Sequence, residues 1–139
     1  MQFQCFKKLI GVGLCLLMSA VLTATTVPKK LDLILLIGQS NMAGRGKVDA
    51  LSVPGNEKIW VMNAQNEWIM ARDPLHFDKP GIAGVGPGLA FAQRWLELSP
   101  KTTLGLIPCA VGGSGIDDWQ PGAKHAQTGI YPYDAMLQR

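Results

Sequence analysis

Leu33-Ile34-Leu35-Leu36-Ile37-Gly38-Gln39-Ser40-Asn41-Met42-Ala43-Gly44, "LILLIGQSNMAG", runs five apolar residues straight into a small polar corner. From Leu31 to Ile37 the only polar residue is Asp32, and there is no alternation. An unbroken apolar run of strand length suits a central strand covered on both faces, as in a parallel sheet. Two more strands follow at Lys58–Met62, "KIWVM", and Thr103–Ile107, "TLGLI", the last ended by Pro108. Between them, "GVGPGLAFAQRWLELSP" reads as a helix. Pro87 stands where a first-turn proline is favoured, and Leu89, Phe91, Ala92, Trp95 and Leu96 form a wide apolar face. Ser99-Pro100 stops it. Strand, helix and strand joined by right-handed crossovers predict an α/β layered fold. Tyr133–Arg139, "YDAMLQR", reads as the start of a further helix with no stop signal. Three strands and one full helix are a thin sheet, so the reading is the N-terminal part of a larger domain.

The first residues differ from the rest. Lys7 and Lys8 precede the apolar run Leu9–Leu22, and small residues and Pro28 follow. That order describes a secretory signal peptide, residues 1–26, and the run is short for a membrane span. The expected product, 27–139, is secreted or periplasmic, without stable membrane insertion once the signal is removed. Without Lys7 and Lys8, 11 basic residues face 10 acidic ones, and no basic stripe argues for nucleic acid. Cys5 and Cys15 fall in the signal, which leaves Cys109 without a partner for an internal disulfide. At the end of an apolar strand it reads as core packing.

In open α/β sheets ligands sit beyond the carboxyl ends of the strands. Two glycine-containing corners lie there, Gly38–Asn41 and Cys109–Gly115. Several motifs are excluded. A P-loop would need glycine at Asn41 and Ser or Thr at Val48. G-x-S-x-G fails at both serines, with Met42 and Ile116 in the last place. No Cys/His cluster has metal spacing, and neither a metal nor another cofactor is expected. Small polar turns at strand ends are common, so pattern alone leaves Ser40 open as nucleophile or turn residue.

A resemblance adds weight. "LILLIGQSNMAGRG", "EWIMARDPLH", "GVGPGLAFA" and "IPCAVGGSGIDDW" resemble, in order and spacing, blocks of the sialate O-acetylesterase-like carbohydrate esterases, a branch of the SGNH-type serine esterases. The similarity covers about residues 31 to 139. It implies a flavodoxin-like three-layer fold with a parallel sheet, incomplete here at the C-terminus. It also implies removal of O-acetyl groups from a carbohydrate, of the sialic acid or xylan type. By position, Ser40 is the implied nucleophile, and its own N–H is one oxyanion donor. Gly113 is the implied second donor, with Gly112 as the register alternative, and Gln39 and Asn41 shape the site. The family's W-H-Q-G-E block and late D-x-x-H, which supply the base, do not occur. This chain alone is therefore expected to be inactive or nearly so. The alternative is a non-catalytic carbohydrate-binding or scaffold relative on the same fold.

The remaining polar residues receive plainer readings. His76 is expected to be a hydrogen-bonded structural or rim histidine, and His125 to be exposed in a polar loop. Asp117 and Asp118 point apart and suit a loop or helix cap. Trp119 suits core or interface packing, or stacking on a sugar. Ser114 suits a turn rather than a second nucleophile.

Overall fold

The computed structural model describes residues 26–50, 52 and 55–139. The signal peptide expected over residues 1–26 lies, apart from its last residue, outside the described residues. The strands are β1 (Asp32–Leu36), β2 (Ile59–Met62), β3 (Trp68–Met70) and β4 (Leu104–Pro108). The helices are α1 (Ser40–Ala43), α2 (Pro87–Leu98) and α3 (Pro132–Leu137), with a 3₁₀ turn at Ile116–Trp119. Among the described residues no helix is long and apolar enough to cross a membrane.

The four strands form one sheet in the order β1-β4-β2-β3. β4 is parallel to both β1 and β2, while β3 is antiparallel to β2. The sheet is therefore mixed, which corrects the all-parallel expectation. The reason is local. Asn63 Oδ1 accepts the N–H groups of Gln65 and Glu67, and Asn66 adopts φ 61, so the chain reverses tightly after β2. Only three residues then pair back, too few for a period to be read.

β1 is an edge strand in this sheet, not a central one, since it pairs with β4 alone. Its Leu36 is buried and Ile34 packs against the core, whereas Leu33, Leu35 and Ile37 on the other face stay exposed. The core lies on the α2 side. Leu36, Ile59, Val61, Leu104 and Leu106 from the sheet meet Leu89, Ala92 and Leu96 from α2, with Ala71 and Leu75 closing one side. Leu89, Ala92 and Leu96 recur at helical spacing, and Pro87 opens the helix as expected. Phe91 and Trp95, placed on the apolar face by the sequence reading, are instead half exposed. They pack on each other with ring centroids 5.8 Å apart. The buried stripe is narrower than the count of apolar residues suggested.

Candidate active site

The polar corner after β1 folds into a single turn of helix. Ser40 is its first residue and Gln39 its N-cap. The Gln39 side chain accepts both the Ser40 N–H (3.1 Å) and the Ser40 hydroxyl (2.8 Å). Ser40 is partly buried, while Gln39 and Asn41 are exposed. Gly44 donates its N–H to the Ser40 carbonyl and ends the turn.

The second corner is brought alongside by the parallel ladder, which continues beyond the strands. Cys109 N–H donates to Leu36 O and Val111 N–H to Gly38 O, each at 2.9 Å. Next, Gly112 N–H donates to Asp78 Oδ2 at 2.6 Å. Ser114 N–H donates back to Val111 O at 3.1 Å. Of the four successive N–H groups from Val111 to Ser114, only that of Gly113 has no partner among the described residues. Gly113 is exposed at φ 88. Its neighbour Gln127 accepts a hydrogen bond from Lys79 Nζ at 2.9 Å.

Ser114 is a turn residue as expected, and its hydroxyl accepts the Trp119 indole N–H at 3.0 Å. Asp118 Oδ2 accepts Gly115 N–H at 2.8 Å and caps the 3₁₀ turn, again as expected. Trp119, Ser114, Gly38, Gln39 and Tyr133 line a cleft of about 420 Å³ beside the corner. A separate cavity of about 280 Å³ is lined by His76, Asp78, Cys109 and Arg139 among others. Arg139 donates to the carbonyls of Met62 (3.1 Å) and Asn63 (2.7 Å) and lies over the Phe77 ring. Cys109 is half buried on that cavity rather than wholly in the core. Burial pushes its thiol pKa up, and Arg139 pulls it the other way. Among the described residues no group of three or more His, Cys, Asp or Glu could hold a metal ion.

Neither histidine bonds Ser40. His125 is buried, not exposed as the polar loop suggested. The loop closes on itself: His125 N–H donates to Ile130 O, Gly129 N–H donates to His125 O, and the His125 Nδ1 pairs with the Thr128 hydroxyl at 2.8 Å. His76 is also buried, but its Nε2 has no hydrogen-bond partner, which corrects the bonded reading. Burial lowers its pKa to about 4; Asp78 opposes the shift, while Arg45 and Arg139 add to it. The imidazole is neutral in the fold and takes a proton near pH 6.5 only in the unfolded chain. Stability is therefore full above pH 6.5 and falls as pH drops towards 4, by about 3 kcal/mol in total. Asp73, whose carboxyl burial holds above its ordinary range, acts in the opposite sense at the acid edge. Thermal melts from pH 8 to pH 4 should show the loss, and His76→Gln should flatten the slope.

Three residues at this corner escaped the sequence reading: Arg45, Asp78 and Gln127. Arg45 stands between two glycines and Asp78 lies two residues after His76, the only signals available. Asp78 meets Gly112 across 34 positions, a pairing that spacing does not reveal.

A family model described as carbohydrate esterase, sialic acid-specific acetylesterase, matches residues 30–139. A probable carbohydrate esterase from Arabidopsis thaliana is 36% identical over 127 residues, covering 78% of this chain and 46% of its own length. The X-ray structure of that Arabidopsis protein superposes with a TM-score of 0.65 at 33% identity. It covers 76% of this chain and 48% of that one. The chain thus spans about half the length of the curated relative it matches.

Proposed function

The chain belongs to the sialic acid-specific acetylesterase family of carbohydrate esterases, and from that premise we propose that it carries the nucleophile portion of a serine esterase that removes O-acetyl groups from sugars. One observation carries this reading. The corner that carries Ser40 is joined to the second glycine loop through Val111 N–H and Gly38 O, and from Val111 to Ser114 the Gly113 N–H alone has no partner among the described residues.

The Ser40 oxygen attacks the acetyl carbonyl, and the carbonyl electrons move onto its oxygen. The Ser40 and Gly113 N–H groups donate to that oxyanion. Fixed donors of this kind are each worth about 100- to 1,000-fold in rate. Gln39 releases the Ser40 N–H when the oxyanion forms. The tetrahedral adduct collapses to an acetyl ester on Ser40, the sugar oxygen leaving as a hydroxyl with the proton that the Ser40 hydroxyl gave up; water then cleaves that ester to acetate and restores the Ser40 hydroxyl. Gly113 serves better than Gly112, whose N–H already donates to Asp78. Gln39 and Asn41 border the attack site. The fold is read as flavodoxin-like and three-layered over 27–139, behind an export segment at residues 1–26, with a secreted or periplasmic product. The substrate is an acetylated carbohydrate of the sialic acid or xylan type.

Ser40 Oγ is bonded to an amide oxygen, not to a base. General-base assistance contributes about 100- to 10,000-fold. The 139-residue chain is therefore expected to release acetate from acetylated sialic acid or xylan only slowly. Added imidazole should raise that rate in the wild-type chain and not in Ser40→Ala. Sugar binding with no Ser40-dependent turnover, with or without imidazole, would select the non-catalytic carbohydrate-binding reading instead. That alternative draws its support from the same amide partner of Ser40.

A further inference from the structure

We propose that Asp78, paired with Arg45, is a positioning residue that holds the Gly112–Gly113 loop so that the Gly113 N–H stays presented to the Ser40 corner. The catalytic part of this proposal rests on the esterase reading above; the anchoring part does not.

The Asp78 side chain is 2% exposed, while Arg45 keeps 29%. A carboxylate buried to that degree is costly unless it is bonded and offset by charge. Asp78 Oδ2 has both. It accepts Gly112 N–H at 2.6 Å, the short separation of a charge-assisted bond, and lies 3.8 Å from Arg45 Nη2. Arg45 is itself tied down, its Nη1 donating to Gly44 O at 2.6 Å. The pair therefore joins three separate blocks: the strand-end corner of Ser40, the "PLHFD" segment, and the second glycine loop.

Gly112 lies directly against the ion pair. A Cβ there would lie 3.0 Å from Asp78 Oδ2 and closer still to Arg45 Nη2. The backbone approaches the ion pair directly, and a side chain at this position would have to displace the Arg45 head group. Two successive N–H groups, of Val111 and Gly112, are thus fixed to Gly38 O and Asp78, and Ser114 N–H is fixed by the turn. Gly113 is held between anchored neighbours with its own N–H unbonded, so it can donate to an oxyanion without first giving up a partner.

Arg45 has a second task. A lone carboxylate bonded one residue from the oxyanion donor would oppose negative charge developing there. The guanidinium offsets that charge and leaves the anchor without the repulsion.

The test compares Asp78→Ala and Asp78→Asn with the wild-type chain by two readouts. The first is hydrogen exchange at the Gly112 amide, followed by NMR. The second is imidazole-assisted acetate release from an acetylated sugar, normalised to folded protein. An asparagine oxygen still accepts the Gly112 N–H, so Asp78→Asn should keep Gly112 exchange and kcat within about fivefold. Asp78→Ala should speed Gly112 exchange more than about tenfold. It should also lower kcat by about 10- to 100-fold with KM unchanged within twofold, the scale expected when a catalytic group is misplaced. Unchanged Gly112 exchange in Asp78→Ala would overturn the anchor. A loss of folded protein with kcat unaltered would reduce Asp78 to a structural residue and also overturn the proposal. If Asp78→Ala does not fold, Asp78→Ser, which shortens the acceptor, takes its place with the same expectations. Absence of Ser40-dependent turnover in the wild-type chain counts against the esterase reading alone, and the Gly112 amide then decides the anchor by itself.

Discussion

Ser40→Ala is expected to remove Ser40-dependent acetate release by about 1,000-fold or more, with folding nearly untouched. The size follows from what remains. Without the hydroxyl there is no acyl intermediate, and only oxyanion donation and substrate binding are left, a small remnant of a nucleophilic mechanism. The backbone donor survives, because residue 40 still offers its N–H. The structural cost is small. The Ser40 hydroxyl makes one bond, to the exposed Gln39 side chain, and the α1 cap is retained by the residue 40 N–H. Initial rates under imidazole rescue, set beside urea midpoints for both proteins, check this. Equal rates in the two proteins would remove Ser40 from the mechanism. An equal fall in stability would mean that the change acted on the fold and not on the chemistry.

The strand that leads to Ser40 was legible as a short unbroken apolar run, and the helix packed on the sheet as a helical period. "LDLILLI" and "TLGLI" have strand length and turn signals at their ends, and Pro87 with Leu89, Ala92 and Leu96 opens and faces a helix. What escaped was set by hydrogen bonds rather than by burial. β3 is three residues long and exists because the Asn63 side chain closes a turn. α1 is a single turn held by Gln39, below the length at which any helical period shows. His125 sits in a segment that is polar in composition, and its burial comes from backbone pairing within that segment. At the site, the glycines of the second corner were visible as glycines. That the Gly112 N–H is taken while the Gly113 N–H is left without a partner was not, because Asp78 arrives from another part of the chain. Residue types at strand ends announce a site; the assignment of each N–H is a tertiary fact.

Gly44→Ala is expected to destabilise the fold by about 3 kcal/mol or more, the sum of strain at a positive φ and backbone overpacking. Gly44 is buried at φ 84. A Cβ there would lie 2.7 Å from Gly86 N and 2.7 Å from Val85 C, and nearer still to Gly84 O. All three are backbone atoms, so no side chain can rotate away to relieve the clash. The contact is mutual. Gly84 N–H donates to Gly44 O at 3.2 Å, and Gly46 and Val85 exchange N–H bonds at 3.0 and 2.8 Å. The segment after α1 is therefore laid directly on the loop that leads into α2. A side chain between them must push the two backbones apart and lose these bonds. Gly81, with open space where its Cβ would be, is the control, and Gly81→Ala should change stability by less than about 0.5 kcal/mol. Urea unfolding of both variants gives the comparison, and a Gly44→Ala loss below about 1 kcal/mol would refute the packing argument. The same contact bears on Ser40. Gly44 N–H ends the α1 turn by donating to the Ser40 carbonyl, and Arg45 reaches Asp78 from the next residue. Displacing Gly44 thus moves Ser40, the proposed nucleophile, and the Arg45–Asp78 anchor of the Gly112–Gly113 loop together. Any folded fraction of Gly44→Ala should therefore lose turnover beyond what its lower stability accounts for.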